Sequence, residues 1–249
     1  MQYGICNLSI VPVRIQPADA SEMVTQLLYG EYFKVLEERG KWSRIRIAFD
    51  SYEGWIDNRQ FIKVEESIYF DLSSEERRYS ADLIEFLTDE SEGLTTIALG
   101  SVLNSNKPLK NTFDGSSITG IKEKNNLVKT ALLYLNAPYM WAGKTPFGID
   151  CSGLTQMVYM LNGYSLLRDA SQQAAQGEAL SFIEESEPGD LAFFDNSEGK
   201  ITHVGIIMHD NYIIHVNGKV RIDRIDHSGI FNTELKRHTH QLRVIKKII

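Results

Sequence analysis

Cys151 is one of only two cysteines in this 249-residue chain, and its surroundings set it apart from Cys6. Residues 136–154 read NAPYMWAGKTPFGIDCSGL, with Gly143 and Gly148 in the stretch before the cysteine. After it, Leu154, Val158 and Leu161 recur at helical spacing, which predicts a loop giving way to a helix with one buried face. The thiol then belongs to the first helical turn, where unpaired backbone N–H groups and the positive dipole end favour an anion. A cysteine so placed is expected to have a lowered pKa and to act as a thiolate nucleophile. Position alone does not decide the matter, because a lone cysteine is often a small buried hydrophobe.

A nucleophile needs a base, and the histidines supply candidates. Residues 187–194 (EPGDLAFF), 201–208 (ITHVGIIM) and 212–216 (YIIHV) are β-rich runs separated by turn residues, and read as an antiparallel meander. Folding the last two about a turn near Asp210 puts His203 and His215 on one face as a diagonal cross-strand pair. A one-residue slip would separate them. In the paired register His203 can take the thiol proton while His215 orients its ring, the nucleophile, base and orienter logic of covalent catalysis. His209 falls in the predicted turn, and His227, His238 and His240 in a polar stretch, so all four are expected to be solvated. A metal site built on His203, His209 and His215 lacks the helical ligand pair with a third ligand, and none is expected.

Taken in order, Pro138-Tyr139-Met140-Trp141, Asp150-Cys151-Ser152-Gly153-Leu154, Pro188-Gly189-Asp190-Leu191, His203-Val204-Gly205-Ile206 and Ile214-His215 resemble the NlpC-type family of papain-like bacterial cell-wall peptidases. The resemblance covers roughly the last half of the chain. One departure is Ala142, where the family usually has a second glycine; loop geometry is affected and the chemistry is not. The resemblance implies an α+β, papain-like catalytic domain with helices packed on an antiparallel sheet. It also implies a cysteine peptidase that needs no cofactor and no metal. Cys151 would attack an amide carbonyl, with its own N–H and the Tyr139 hydroxyl facing the oxyanion. Trp141 would wall the groove.

The first sixty or so residues read as short strands around Val11, Val13 and Ile15, 30–36, 42–47, 52–56 and 61–64, with Arg39-Gly40 as a turn. Their order resembles a bacterial SH3-like barrel, and Cys6 is expected to be a small strand residue of it. The expected organisation is therefore an SH3-like barrel over 1–65, a connector or reduced second barrel over 66–118, and the peptidase domain over 119–249. Within 66–118 a partly helical stretch runs from Tyr69 to Leu87, with Leu83, Phe86 and Leu87 as possible buried positions. Residues 95–99 suggest a strand and 104–108 a loop. A helix is predicted from Asn125 to Leu135, with Leu127, Ala131, Leu132 and Leu135 along one face.

Among NlpC-type enzymes the chain most resembles the γ-D-glutamyl-L-diamino acid endopeptidases, of dipeptidyl-peptidase VI type. That subgroup's pattern implies that Tyr52, Asp150 and Ser152 grip the free α-amino group of the substrate. Glu22 would be an acidic residue on the same side, although an ordinary surface position explains it equally well. Arg168, Asp169 and Ser171 match a stretch bordering the D-Glu carboxylate, with Ala170 where serine is common. Asp150 read by itself could simply cap the helix. If it binds an amine, a blocked N-terminus leaves a buried carboxylate unpaired, at a cost of roughly 2–5 kcal/mol.

The implied substrate is a muropeptide beginning L-Ala-γ-D-Glu, cut before the diamino acid (lysine or diaminopimelate) in peptidoglycan recycling. The alternative is an exported hydrolase of intact stem peptides with a wall-binding barrel. A catalytically idle wall-binding protein has no need of Cys151, His203 and His215 together. Acyl transfer on a lipid-like substrate sits badly with Asp150 beside the nucleophile.

Composition agrees. A net charge of −7 and a pI near 5.4, with no basic run, argue against nucleic acid as a partner. Two cysteines make no disulfide framework. No stretch has the apolar length of a membrane span. The first residues lack a signal-peptide pattern, so the expectation is a cytoplasmic protein, acting as a monomer with no membrane partner.

Overall fold

Chain contacts divide the protein into two units, Met1–Gly120 and Ile121–Ile249. The computed structural model describes residues 2–249.

The first unit opens with seven antiparallel strands: β1 (Gln2–Ile5), β2 (Ile10–Arg14), β3 (Met23–Leu28), β4 (Tyr32–Arg39), β5 (Trp42–Ile47), β6 (Glu53–Asp57) and β7 (Ile62–Val64). They lie in the order β3-β2-β6-β5-β4-β1-β7. Leu27 from one end of that order and Cys6 and Phe61 from near the other share one buried cluster with Val11, Val13, Ile45 and Ile56. A flat sheet cannot bring its ends together, so this one curls, as an SH3-like barrel requires. The expected Arg39-Gly40 turn lies one residue on: Gly40-Lys41 is the two-residue hairpin loop joining β4 and β5, with Arg39 paired to Trp42 and Gly40 at φ +59°. Sequence reading missed β1 and β3; the run Met23–Leu28 is nearly continuously buried and shows no alternation.

Residues 66–118 belong to this first unit. They form α1 (Glu66–Ser74), β8 (Arg78–Ser80), β9 (Ile84–Asp89), β10 (Leu94–Ala98), α2 (Asn106–Leu109), β11 (Asn111–Thr112) and β12 (Ser117–Thr119), in a three-stranded and a two-stranded sheet. Of the three positions expected to be buried, only Leu87 is; Leu83 and Phe86 are exposed. The helix stops at Ser74 and two strands follow, and period-two alternation along β9 puts Leu87 inward and its neighbour Phe86 outward. The predicted loop over 104–108 contains the short helix α2.

The second unit carries α3 (Asn126–Leu132), the two-stranded pair β13 (Lys144–Thr145) and β14 (Gly148–Ile149), α4 (Cys151–Leu161), α5 (Ala170–Gln173) and β15 (Glu178–Leu180). Six longer strands follow: β16 (Leu191–Asp195), β17 (Ile201–Ile207), β18 (Tyr212–Asn217), β19 (Lys219–Asp226), β20 (Gly229–Asn232) and β21 (Arg237–Lys247). They pair in the order β21-β16-β17-β18-β19-β20, and β20 pairs back onto β21. The sheet is therefore a closed six-stranded barrel, with β15 added on the outside of β21. The expected helices on an antiparallel sheet are present in part: the unit is mostly β, its sheet closes on itself, and α4 packs along β17 and β18.

Alternation along each strand sorts the side chains. Ala192, Phe194, Ile207, Ile213, Ile225, Ile230 and Ile245, drawn from all six strands, share one buried cluster inside the barrel. Phe193, Val204, Ile206 and Ile214 alternate with them and are buried on the other face. Residues 152–161 of α4 are buried throughout, as befits a helix enclosed on all sides. The helix expected over 125–135 is shorter, and its buried stripe is Leu127, Ala131 and Tyr134; Leu132 and Leu135 are exposed. The α-helix ends at Leu132 and the chain continues in tighter i→i−3 turns through Leu135, which put Tyr134 and not Leu135 on the stripe.

Candidate active site

Cys151 is the first residue of α4, and Asp150 is its N-cap, accepting a 2.6 Å hydrogen bond from the Gly153 N–H. A Cβ on Gly153 would come within 2.3 Å of the Gly143 carbonyl, so the loop glycine and the helix glycine let the two backbones meet. Ala142 in that loop has φ +61°, a left-handed conformation that explains the family's usual glycine there.

The thiol lies within hydrogen-bond reach of the backbone N–H of Val204, the residue after His203, and of that of Ser152. The head of α4 is thus held against the β17 backbone beside His203. The expected lowered thiol pKa is not found. Burial, reinforced by the Asp150 carboxylate, pushes the thiol up to about 11, and the two N–H donors and Arg168 only partly offset this. Desolvation of the thiolate outweighs the two N–H donors and Arg168, so the resting side chain is a thiol.

His203 and His215 form the diagonal pair that the meander predicts. His215 sits opposite Gly205, two residues along β17 from His203, and His203 Nε2 lies 2.9 Å from His215 Nδ1. Both rings are buried. Burial, with help from His215 and His240, holds His203 well below the usual histidine range, so it is a neutral imidazole ready to accept a proton.

Three residues of this network were missed. Asp223, buried on β19, lies 3.0 Å from His215 Nε2 and takes a two-pronged ion pair from Arg221, at 2.6 and 3.0 Å. Alternation offered a signal: Asp223 and Ile225 face the barrel interior, where a carboxylate needs a partner. His240, expected to be solvated, stacks on His203 with ring centroids 4.2 Å apart and planes 24° apart. A bulge in β21, between the residues facing Phe193 and Phe194, reverses the inward parity after Ile245 and turns Leu242 and His240 into the barrel. Burial lowers His240 to about 4. His209 and His227 are exposed as expected, and the exposed His238 pairs with Asp226 at 2.9 Å.

His203, His215 and His240 each bring one ring nitrogen within 4.8 Å of the others, a grouping that spacing along the chain did not suggest. They make a poor metal cage. His215 Nδ1 is committed to His203, and near-parallel rings on His203 and His240 aim their lone pairs side by side instead of converging on one point.

Tyr139 is half-exposed. Burial raises its hydroxyl pKa, with smaller contributions from Asp150 and Cys151, which keeps it protonated near the nucleophile as an oxyanion donor must be. Trp141 is largely exposed, as a groove wall would be.

Among the residues expected to grip the substrate, several are engaged with one another within the protein. Arg168, 1% exposed, is not a groove contact. Its guanidinium clasps Asp150 two-pronged, at 3.1 and 2.9 Å, and donates to Ser152 Oγ at 3.0 Å. Asp150 also accepts from the Ala142 N–H at 2.8 Å. Its charge is therefore matched within the protein, and the argument that a blocked substrate amine would strand it does not hold. Asp169 caps α5 in a capping box with Gln172, and Ser171 is exposed on that helix. In the first unit Tyr52 packs against the barrel core, and Glu22 is exposed just before β3.

Residues 136–242 match the NlpC/P60 family, and residues 13–61 match the bacterial dipeptidyl-peptidase SH3 domain. The second unit is an NlpC/P60 domain. The chain is a cysteine peptidase, with Cys151 at the head of α4 and the His203–His215 pair on β17 and β18. It is 27% identical over 229 residues to a γ-D-glutamyl-L-lysine dipeptidyl-peptidase of Bacillus cereus, spanning 79% of this chain and 68% of that one. It is also 27% identical over 251 residues to dipeptidyl-peptidase 6 of Lysinibacillus sphaericus, spanning 85% and 87%. The probable endopeptidase p60 of Listeria welshimeri is 39% identical over 105 residues, which is 41% of this chain and 20% of that protein. An NlpC/P60 family protein from Bacillus cereus shares the fold, with TM-score 0.77, 19% identity and 99% of each chain covered. So does an NlpC/P60 endopeptidase from Photobacterium damselae, at TM-score 0.69 and 17% identity, covering 98% of this chain and 70% of that one.

Proposed function

We propose that this NlpC/P60 enzyme cleaves the γ-D-glutamyl–diamino acid bond of peptidoglycan peptides that begin L-Ala-γ-D-Glu and carry a free amine, in cell-wall turnover. The observation that carries the reading is the intact nucleophile and imidazole pair, in a chain most of whose length aligns with proteins named γ-D-glutamyl-L-lysine dipeptidyl-peptidase and dipeptidyl-peptidase 6. A dipeptidyl-peptidase counts two residues from a free N-terminus, which supports the amine requirement now that Asp150 alone does not. The SH3 match of the dipeptidyl-peptidase type points the same way.

In the mechanism, the Cys151 thiol gives its proton to the neutral His203 as sulfur attacks the γ-carbonyl of D-Glu. The Cys151 N–H and the Tyr139 hydroxyl face the developing oxyanion. The imidazolium then protonates the departing α-amine of the diamino acid, leaving a thioester. Water activated by the neutral imidazole hydrolyses it and regenerates the thiol.

Cleavage of L-Ala-γ-D-Glu-L-Lys, free and N-acetylated, by wild type and Cys151→Ala tests this. Cutting of the free peptide alone, and only with Cys151 present, is the expected result. Equal cutting of both peptides would remove the amine requirement and favour hydrolysis of stem peptides still in the wall. No cutting of either would sink the substrate assignment.

A further inference from the structure

We infer that Asp223, held by Arg221, is a positioning residue that fixes the tautomers of both active-site imidazoles and so makes His203 Nδ1 the base. The inference deepens the reaction proposed above and rests on Cys151 and His203 acting in it, whatever peptide is cut.

A carboxylate can only accept. Burial pushes the Asp223 carboxyl up, but the hydrogen bonds from His215 and Arg221 outweigh this and hold it below the usual carboxylate range, so it is ionised. His215 Nε2, 3.0 Å away, must therefore carry a hydrogen. Burial keeps His215 neutral, which leaves a lone pair on Nδ1. That atom lies 2.9 Å from His203 Nε2, so His203 Nε2 must be the donor in turn. A neutral imidazole has one protonated nitrogen, and His203 Nδ1 is left as the only ring atom able to take the thiol proton. Each step follows from the one before, and the chain begins at Asp223.

The geometry is built to be rigid. Asp223 faces Ile213 on β18, so it stands diagonally from His215, as His215 stands diagonally from His203 across β17 and β18. Three neighbouring strands thus contribute one group each to a line of donors that ends on a carboxylate. Arg221, two residues along β19, takes both Asp223 oxygens and also reaches Glu234 at 3.2 Å. Its charge balances Asp223, so His215 need not become a cation to pair with it. When His203 accepts the thiol proton, the new positive charge faces a lone pair on His215 whose opposite edge donates to that carboxylate.

Without Asp223, nothing prevents His215 from turning over to its other tautomer, with the hydrogen on Nδ1. His203 would then be forced to hold its proton on Nδ1, the one place where it blocks catalysis. Fixing the tautomer of a catalytic imidazole by a buried carboxylate is worth up to about 10⁴-fold in kcat in triad enzymes.

The test combines kinetics with nitrogen-15 NMR of the histidine rings. In wild type without substrate, at neutral pH, His203 and His215 should both show the tautomer protonated at Nε2. Asp223→Asn should lower kcat by about 10²–10⁴-fold with KM changed less than threefold, and should slow iodoacetamide alkylation of Cys151 by a similar factor. Asp223→Glu, which restores an acceptor-only group, should recover at least tenfold of the loss. Alkylation does not depend on which peptide the enzyme cuts, so it separates failure of this inference from failure of the substrate assignment. A wild-type His203 protonated at Nδ1 would overturn the inference even if the Asp223 variants did not fold. An Asp223→Asn enzyme within threefold of wild type would overturn it equally.

Discussion

Replacing Arg168 by methionine isolates the feature most at odds with the expected substrate grip. Methionine keeps much of the apolar volume of the arginine stem but removes the guanidinium, which is 1% exposed and sits on both Asp150 oxygens. Breaking a buried ion pair from one side typically costs about 3–5 kcal/mol, because the remaining charge has no partner in low dielectric. Asp150 keeps the Gly153 and Ala142 N–H donors at 2.6 and 2.8 Å, which moves the expectation to the low end, about 3 kcal/mol. With a urea m-value of about 2 kcal/mol/M, the midpoint should fall by about 1.5 M. Two units need not unfold together, so the transition is best read locally, by pulsed alkylation with mass spectrometry of the Cys151 peptide. Adding Asp150→Asn should recover more than half the loss by removing the stranded charge. Because Arg168 also opposes the upward push on the Cys151 thiol, alkylation of the folded variant at pH 8 should be slower than in wild type. A cost below 1 kcal/mol, or a double variant no better than the single one, would refute the view of Arg168 as the counter-charge of Asp150.

Three further outcomes are expected. Ala142→Gly should stabilise the second unit by about 0.5–1 kcal/mol, since φ +61° strains alanine, and a denaturation midpoint below wild type would contradict that. Alkylation of Cys151 in the free enzyme should accelerate steadily from pH 7 to pH 10, because burial raises the thiol to about 11; a plateau already reached at pH 7 would show a resting thiolate instead. His240→Ala removes one of the influences that depress His203, so the acid limb of kcat/KM should move to higher pH and activity near pH 5 should fall. Asp223, Arg221, Glu234 and His215 remain in place as the other charged and titratable groups of that network, and an unmoved acid limb would argue against an influence of His240 on the base.

What could be read in the sequence was what the chain decides locally. The Cys151 helix start, the glycine-rich approach to it and the His203–His215 register all follow from spacing within about a dozen residues and one turn. Asp223 joins them only through a third strand, and its role is visible only once inward parity on β19 is known. His240 is harder still, since a bulge in β21 reverses the alternation that any reader would extrapolate from Ile245. Arg168 matched a known stretch by position, yet its burial against Asp150 depends on packing between segments 18 residues apart. The Asn125–Leu135 helix was overextended because Leu132 and Leu135 are as apolar as the residues that are buried. Closure of the barrel was not legible at all, because it rests on β20 meeting β21 from the far side of the sheet.

That closure has a consequence for when the enzyme can act. β21 pairs with β15, β16 and β20, so residues 237–247 are the seam on which both edges of the sheet meet. Until that segment has emerged from the ribosome, β16 lacks a neighbour, β20 is a loose edge, and His240 has not yet covered His203. The cysteine and both active-site histidines are already present in the growing chain, but the scaffold that holds the bases in line is unfinished. Assembly of the active-site scaffold therefore waits on residues 237–247, the segment that joins both edges of the sheet.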